Sequence, residues 1–107
     1  MPLIDATETT LPATLAANRL VAVDFWAPWC GPCKTLTPVL EKLAAELSGH
    51  VVLAKVNVDD EAGLAAKYGI RSVPTVLLFL DGQLADQWSG LANETTWRAR
   101  LAERAAA

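Results

Sequence analysis

The segment from Leu20 to Ala27 constrains the fold more than any other part of the chain. It reads Leu-Val-Ala-Val-Asp-Phe-Trp-Ala, so only Asp24 interrupts a run that is apolar at odd and even positions alike. A strand with one solvated face alternates apolar and polar residues, whereas a strand covered on both faces is apolar throughout. We therefore expect a central strand in a sheet that has helices on both sides.

The rest of the chain alternates short helical and strand-like segments around this strand. Turn residues separate the segments. The first half of the chain is predicted to contain an edge strand opening at Leu3–Ile4, a helix capped by Thr10 and ending near Asn18, the strand from Leu20 to Ala27, and a leucine-rich helix from the cysteines to Ser48–Gly49. The second half is predicted to contain a strand from Val51 to Val58, a short helix capped by Asp59 or Asp60 and ending at Gly69, strands from Thr75 to Leu80 and from Gln83 to Trp88 around an Asp81–Gly82 turn, and a last helix capped by Asn93 with Arg104 in its final turn.

This order predicts a three-layer α/β/α sandwich. The leading β-α-β-α-β portion implies parallel strands, and the following α-β-β-α portion contributes an antiparallel hairpin, so the central sheet is mixed. Pro38 lies inside the leucine periodicity and is expected to kink that helix without ending it. At 107 residues, the chain is expected to form a single domain over residues 1–107.

Charge and hydropathy patterns exclude several classes of partner. Nine basic and twelve acidic side chains give a formal net charge of -3, which disfavours nucleic acid and anionic membranes. The first ten residues lack the charged and apolar regions of an export signal, and no apolar run approaches the roughly 18 residues of a membrane span. We therefore expect a cytoplasmic protein that acts without a membrane.

Cys30 and Cys33 are the only cysteines, and they are separated by Gly31 and Pro32. A structural zinc site typically needs four protein ligands, whereas the two thiols and the single His50 supply three, so we expect no bound metal. A cross-link closing so short a loop would contribute only about 2 kcal/mol by the chain-entropy estimate. A purely structural cross-link nevertheless stays open as an alternative to redox chemistry.

The cysteines fall where the central strand gives way to the leucine-rich helix. Proline favours the first turn of a helix, so Pro32 places Cys30 at or just before the N-terminus and Cys33 inside the first turn. The positive end of the helix dipole would lower the pKa of the Cys30 thiol towards neutrality and so favour the nucleophilic thiolate. We expect Cys30 to be accessible and to attack, and Cys33 to be recessed and to resolve.

The sequence resembles the thioredoxin family from about Thr10 to Leu101. The matching segments are Val23 to Trp26, the Trp-Cys-Gly-Pro-Cys motif from Trp29 to Cys33, Lys55 to Asp59, Tyr68 to Thr75, the Asp81–Gly82 turn and Gly90. The resemblance implies a thioredoxin fold and a protein-disulfide reductase that acts by dithiol-disulfide exchange. It also implies disulfide-containing client proteins, recharging by a thioredoxin reductase, and no cofactor apart from a redox-active Cys30–Cys33 disulfide. We further expect a monomer.

Asp24 and Lys55 are the candidate residues for proton transfer and redox tuning. By the resemblance, Asp24 lies buried beneath the disulfide, where desolvation raises its pKa and lets it accept the Cys33 proton. The alternatives are a structural carboxylate satisfied by a partner, and a Lys55 ammonium that simply extends to solvent. The Gly31–Pro32 pair resembles the reductants of the family more than its oxidases or isomerases, so both residues are assigned to redox tuning together with Lys55.

The expected client-binding surface consists of Trp29, Val73, Pro74, Ser89 and Gly90. An exposed indole beside Cys30 suits contact with a partner chain. Local physics favours a trans Val73–Pro74 bond, since only about 5 to 6% of such bonds are cis, whereas the resemblance predicts a cis bond that lies against the cysteines. Ser89 departs from the family, in which an apolar residue usually precedes the glycine corresponding to Gly90.

Two other functions remain open at the level of the sequence. One is an oxidase or isomerase with the same fold, which differs from a reductant in its redox potential. The other is a redox-inert binding or scaffold subunit whose cysteines are incidental, and which would tolerate the loss of both thiols.

Overall fold

The computed structural model describes residues 3–106, so residues 1, 2 and 107 of the predicted domain lie outside the described residues. The elements follow the predicted order and are β1 (Leu3–Asp5), α1 (Leu11–Ala17), β2 (Leu20–Trp26), α2 (Gly31–Glu46), β3 (Val52–Asn57), α3 (Ala62–Lys67), β4 (Thr75–Leu80), β5 (Gln83–Ser89) and α4 (Glu94–Ala106). None of the helices in this range combines the length and apolar character needed to cross a bilayer.

The strands form one mixed sheet in the order β1-β3-β2-β4-β5. β3 runs parallel to both β1 and β2, whereas β4 pairs antiparallel with β2 and with β5. The apolar segment β2 is therefore the central strand, as its sequence predicts. Parallel pairing of β1, β3 and β2 and the antiparallel β4–β5 hairpin confirm the expected topology.

The two faces of β2 enter two separate cores. Leu20 and Ala22 pack with residues of α2 and α4, whereas Val21, Val23 and Phe25 pack with residues of α1 and α3. Burying each large side chain stabilises the fold by about 1.5–3 kcal/mol. Helices therefore cover both faces of the sheet, which confirms the three-layer α/β/α sandwich. Because alternate residues of a strand share a face, Asp24 lies on the face covered by α2 and α4.

Helix α2 begins and continues as the sequence predicts. Pro32 lies in its first turn, and Pro38 lies inside the helix without ending it. The helix ends at Glu46, slightly before the expected Ser48–Gly49, and Gly49 adopts a positive φ of 89° just beyond it. The helix therefore carries Cys33 and the leucines that follow it on one continuous element.

Of the three predicted helix caps, the one at Asp59 or Asp60 is wrong, and Thr10 occupies its predicted cap position without a capping hydrogen bond. α1 begins directly after Thr10, but the Thr10 hydroxyl accepts a hydrogen bond from the N–H of Thr7, before the helix, and makes no capping bond. α3 is preceded by Glu61 and not capped by Asp59 or Asp60. The N–H groups of Asp60 and Glu61 both donate to the Asn57 carbonyl, so a turn delays the start of the helix.

The cap of α4 and the hairpin turn agree with the sequence. Asn93 Oδ1 accepts a hydrogen bond from the Thr96 N–H at 2.8 Å. Asp81 and Gly82 have φ values of 51° and 81°, which are typical of a two-residue hairpin turn. Strand β5 extends one residue beyond the prediction, and this extension pairs Ser89 with Thr75 at the start of β4.

Candidate active site

Cys30 and Cys33 form a disulfide at the N-terminus of α2, with their Cα atoms 5.3 Å apart. Gly31 and Pro32 are the first two residues of the helix, so the proline occupies a position where a missing N–H breaks no helical hydrogen bond. Cys30 is the residue that caps the helix. Its Sγ accepts a hydrogen bond from the Cys33 N–H, with 3.1 Å between sulfur and nitrogen.

This capping contact makes the two sulfurs electrostatically different. The first N–H groups of a helix have no partner within it, and together they carry a partial positive charge. Cys30 Sγ receives one of these N–H groups, and a thiolate at this position would accept a stronger, charge-assisted hydrogen bond. The helix therefore favours ionisation of Cys30 once the disulfide is reduced.

Solvent exposure does not distinguish the two cysteines in the disulfide form. Cys30 is only 3% exposed and Cys33 only 2%, so the expected accessibility of Cys30 is wrong for this state. Both sulfur-bearing residues form a small apolar cluster with Ala27, against which other side chains pack, namely Trp26, Val58 and Val73. The two cysteines differ instead in hydrogen bonding, because Cys30 Sγ caps the helix by accepting the Cys33 N–H.

Asp24 lies in a polar seam between the sheet and α2. It is 1% exposed, and its register partner on β3 is Lys55. Thr37 and Glu41 of α2 both act on its charge. They follow Cys33 by four and eight residues, a spacing that places all three on one face of the helix. The seam therefore runs beneath the helix face that also carries Cys33.

Burial raises the pKa of Asp24 from 3.8 to about 6. The Lys55 ammonium opposes this rise most strongly, the Thr37 hydroxyl opposes it less, and the Glu41 charge adds to it. Within residues 3–106, neither Asp24 oxygen has a hydrogen-bond partner at ordinary distance and angle. The expected upward shift of the Asp24 pKa is confirmed, and the role of Asp24 as a base stays a prediction.

Lys55 remains within this seam and is only partly exposed. Its Nζ lies 3.9 Å from Glu41 Oε1 and 4.9 Å from the centroid of the Trp26 ring. An ammonium over an indole face is attracted by the ring quadrupole. Lys55 is thus held beside Asp24 by contacts on two sides, and does not simply extend to solvent.

Trp29 is the most exposed large apolar side chain near the disulfide, with 69% of its surface accessible. Its Nε1 donates a hydrogen bond to Asp59 Oδ1 at 3.2 Å. This bond fixes the edge of the indole and leaves most of the ring open beside Cys30. Trp29 also lines a shallow cleft together with Ile70 and Val73, so the structure brings two of the predicted client-binding residues together.

The Val73–Pro74 peptide bond is cis, as the resemblance predicts, and the trans expectation from local physics is wrong. Val73 packs against the cysteine cluster. Its N–H and C=O take part in none of the backbone hydrogen bonds outside helices and strands in the described part of the chain. An extended segment from another protein could therefore pair with them.

Ser89 and Gly90 meet the Val73–Pro74 loop from the end of β5. The Gly90 N–H donates to the Pro74 carbonyl at 2.9 Å, and Gly90 has a φ of 83°, a conformation that favours glycine. Ser89 contacts Thr75 through its side chain as well as by strand pairing. Ser89 and Gly90 therefore lie beside the loop that contains Val73 and Pro74, which brings four of the five predicted client-binding residues together.

The sequence assigned no role at the site to Thr37 and Glu41, which act on the charge of Asp24, to Thr75, which contacts Ser89, or to the Asp59 side chain, which accepts the Trp29 hydrogen bond. The spacing of Thr37 and Glu41 from Cys33 on a leucine-rich helix was a usable signal. No local pattern indicates the Trp29–Asp59 and Thr75–Ser89 contacts, because 30 and 14 residues separate the partners in the sequence. Within residues 3–106, no group of three or more His, Cys, Asp or Glu side chains converges on a common point where a metal ion could bind.

A Cys-Gly-Pro-Cys disulfide at a helix N-terminus, next to a cis-proline loop on a mixed sheet, defines the class of thiol-disulfide oxidoreductases. The sequence profile of the family described as Thioredoxin matches residues 3–103. The chain therefore belongs to the thioredoxin family and adopts its fold.

Two relatives agree with this assignment. The chain is 49% identical over 82 residues to thioredoxin 1 of Synechococcus elongatus, a match that covers 77% of each protein. Its structure resembles that of a mutant thioredoxin from Halobacterium salinarum NRC-1, with a TM-score of 0.86 and 36% identity over 96% of this chain and 88% of that one. The protein is a thiol-disulfide oxidoreductase that reduces protein disulfides, and membership of the family implies disulfide-containing clients and a thioredoxin reductase as partners.

Proposed function

We propose that this chain is a monomeric, cytoplasmic dithiol reductant in which residues 1–107 form one domain. It uses no cofactor apart from the Cys30–Cys33 disulfide, and it acts without nucleic acid or membranes. A reducing compartment suits this activity, because a dithiol pool can be maintained there. The Gly-Pro pair between the cysteines supports a reductant in preference to an oxidase.

In the first step, the Cys30 thiolate attacks one sulfur of a client disulfide. A bond forms between Cys30 Sγ and that sulfur, and the other client sulfur leaves as a thiolate that takes a proton from water. The hydrogen bond from the Cys33 N–H to Cys30 Sγ is the observation that carries this assignment, because it favours the charged form of the attacking sulfur.

In the second step, Cys33 resolves the mixed disulfide. Asp24 takes the Cys33 proton and later passes it to water, and the Cys33 thiolate attacks Cys30 Sγ. The bond from Cys30 to the client therefore breaks, and the second client sulfur leaves as a thiolate that takes a proton from water. The client disulfide gains two electrons and two protons, and the Cys30–Cys33 disulfide forms. The raised pKa of Asp24, about 6, makes it a stronger base than an exposed carboxylate.

The remaining site residues tune the potential or hold the client. Gly31 and Pro32 start the helix between the sulfurs, and Lys55 acts on the couple through the charge of Asp24. Clients dock as an extended segment that pairs with the backbone of Val73. The rest of the docking surface is formed by Trp29, Pro74, Ser89 and Gly90.

Trapping experiments test the two cysteine roles. Cys33→Ser should accumulate mixed disulfides with client proteins, because attack proceeds and resolution is lost, whereas Cys30→Ser should accumulate few. The double serine variant is the control for non-covalent capture. Equal trapping by the two single variants would contradict the assignment, and full cellular activity of the double variant would favour the redox-inert binding subunit.

A further inference from the structure

The Ser89 side chain belongs to a chain of three hydrogen-bonding groups at the rim of the site. Thr75 Oγ1 donates to the Ser72 carbonyl at 2.8 Å. Ser89 Oγ lies 3.0 Å from Thr75 Oγ1, and distance alone leaves the donor of that contact open. The direction of these hydrogen bonds decides whether Ser89 offers a donor or an acceptor to a bound protein.

The chemistry of hydroxyl groups settles this direction. A hydroxyl has one proton to donate, and a carbonyl oxygen can only accept. The single proton of Thr75 is used on the Ser72 carbonyl, so the contact with Ser89 is a hydrogen bond only if Ser89 donates. Among the contacts of residues 3–106, Ser89 therefore has its proton engaged and both lone pairs unused.

These lone pairs lie where a client would dock. Thr75 is 2% exposed and cannot be reached from outside, whereas Ser89 is exposed at the end of β5. The next residue, Gly90, is hydrogen-bonded to Pro74, which follows the Val73 backbone proposed to bind the client. Ser89 thus presents a hydrogen-bond acceptor, and no free donor, beside that backbone.

We propose that Ser89 determines client specificity by accepting a hydrogen bond from an N–H group of a client side chain close to the attacked cysteine. Amide and ammonium side chains satisfy this acceptor. An apolar client side chain displaces water and leaves the Ser89 oxygen without a hydrogen-bond partner. A carboxylate also has only acceptor lone pairs, so it is repelled by the Ser89 oxygen. The inference rests on the proposed function, and it names the chemical class of client that the site prefers.

Matched disulfide peptides test the proposal. Four peptide positions are varied, namely the two before and the two after the target cysteine. Each position carries Gln, norleucine or Glu in turn, and kcat/KM for reduction of each peptide is measured. At one of these positions, the wild type should prefer Gln to norleucine by about three- to tenfold, the effect of one hydrogen bond. Ser89→Ala should remove this preference, and Ser89→Val should favour norleucine.

A second pair of variants tests the direction of the hydrogen bonds. Thr75→Val removes the acceptor of the Ser89 proton, so Ser89 becomes free to donate and the discrimination against Glu should fall. Thr75→Ser keeps the hydroxyl and should behave as the wild type. An unchanged discrimination against Glu in Thr75→Val would overturn the assigned direction, whereas the expected fall supports it.

Reduction of a small disulfide by the wild type separates this inference from the proposed function. A normal wild-type rate on the small disulfide, with equal Gln and norleucine ratios in the wild type and Ser89→Ala at all four peptide positions, would overturn the role of Ser89 alone. Failure of the wild type to reduce both the peptides and the small disulfide would overturn the proposed function itself.

Discussion

Replacing Asp24 by Asn tests whether the buried carboxylate is an ionisable base whose charge lowers the stability of the folded protein. The pKa of Asp24 rises from 3.8 to about 6 because the side chain is almost fully buried. Each pKa unit corresponds to about 1.4 kcal/mol, so this rise corresponds to about 3 kcal/mol. Asn has nearly the shape of the protonated carboxyl and cannot ionise, so the variant keeps the packing and removes the charge.

The sign of the pH dependence follows from the direction of the shift. Between pH 3.8 and about pH 6, the native state binds more protons at Asp24 than the unfolded chain does. The stability associated with the neutral carboxyl is therefore complete below the unfolded pKa and is lost as pH rises through the folded pKa. At pH 7 we expect Asp24→Asn to be more stable than the wild type by up to about 3 kcal/mol, and at pH 4 the two should be nearly equal.

Urea denaturation of the oxidised proteins from pH 4 to pH 8 measures this difference, because the disulfide prevents both thiols from titrating. Every other titratable group is common to both proteins, so the pH dependence of the difference in their free energies of unfolding reports on Asp24. Asp60→Asn, the same change at an exposed position, is the matched control and should follow the wild type. A stability difference that does not vary with pH, together with unchanged resolution of the mixed disulfide, would refute the assignment of Asp24 as a base.

Three further changes test neighbouring parts of the structure. Lys55→Met should raise the pKa of Asp24 further and move the loss of stability to higher pH, whereas Lys55→Arg should not; identical profiles for the two variants would contradict the electrostatic link. Trp29→Ala should lower kcat/KM for a protein disulfide and not for a small disulfide, and an equal loss on both substrates would count against a docking role. Asn93→Ala removes the acceptor for the Thr96 N–H and should lower the free energy of unfolding by about 1 kcal/mol in urea, with Asn93→Asp as the control that keeps an acceptor.

The sequence by itself determined the order of the elements and the place of the redox pair. The run from Leu20 to Ala27 was apolar on both faces, which is sufficient to identify a central covered strand. Pro32 and the leucine spacing after it located the start of the helix and put Cys30 at its cap. The position of the strand and of the helix start depends on backbone conformation and periodicity within short segments, so neighbouring residues are sufficient to predict both. The cis Val73–Pro74 bond was expected only from the family resemblance.

Only the tertiary structure decided which distant side chains meet. The pKa of Asp24 depends on the balance between burial and the Lys55 charge, and the pairing of β2 with β3 brings these two residues together. The donor direction of Ser89 likewise depends on its pairing with Thr75 across the β4–β5 hairpin. Desolvation and hydrogen bonding act through space over a few ångströms, so residues far apart in sequence decide them, and no local pattern in this chain contained that information.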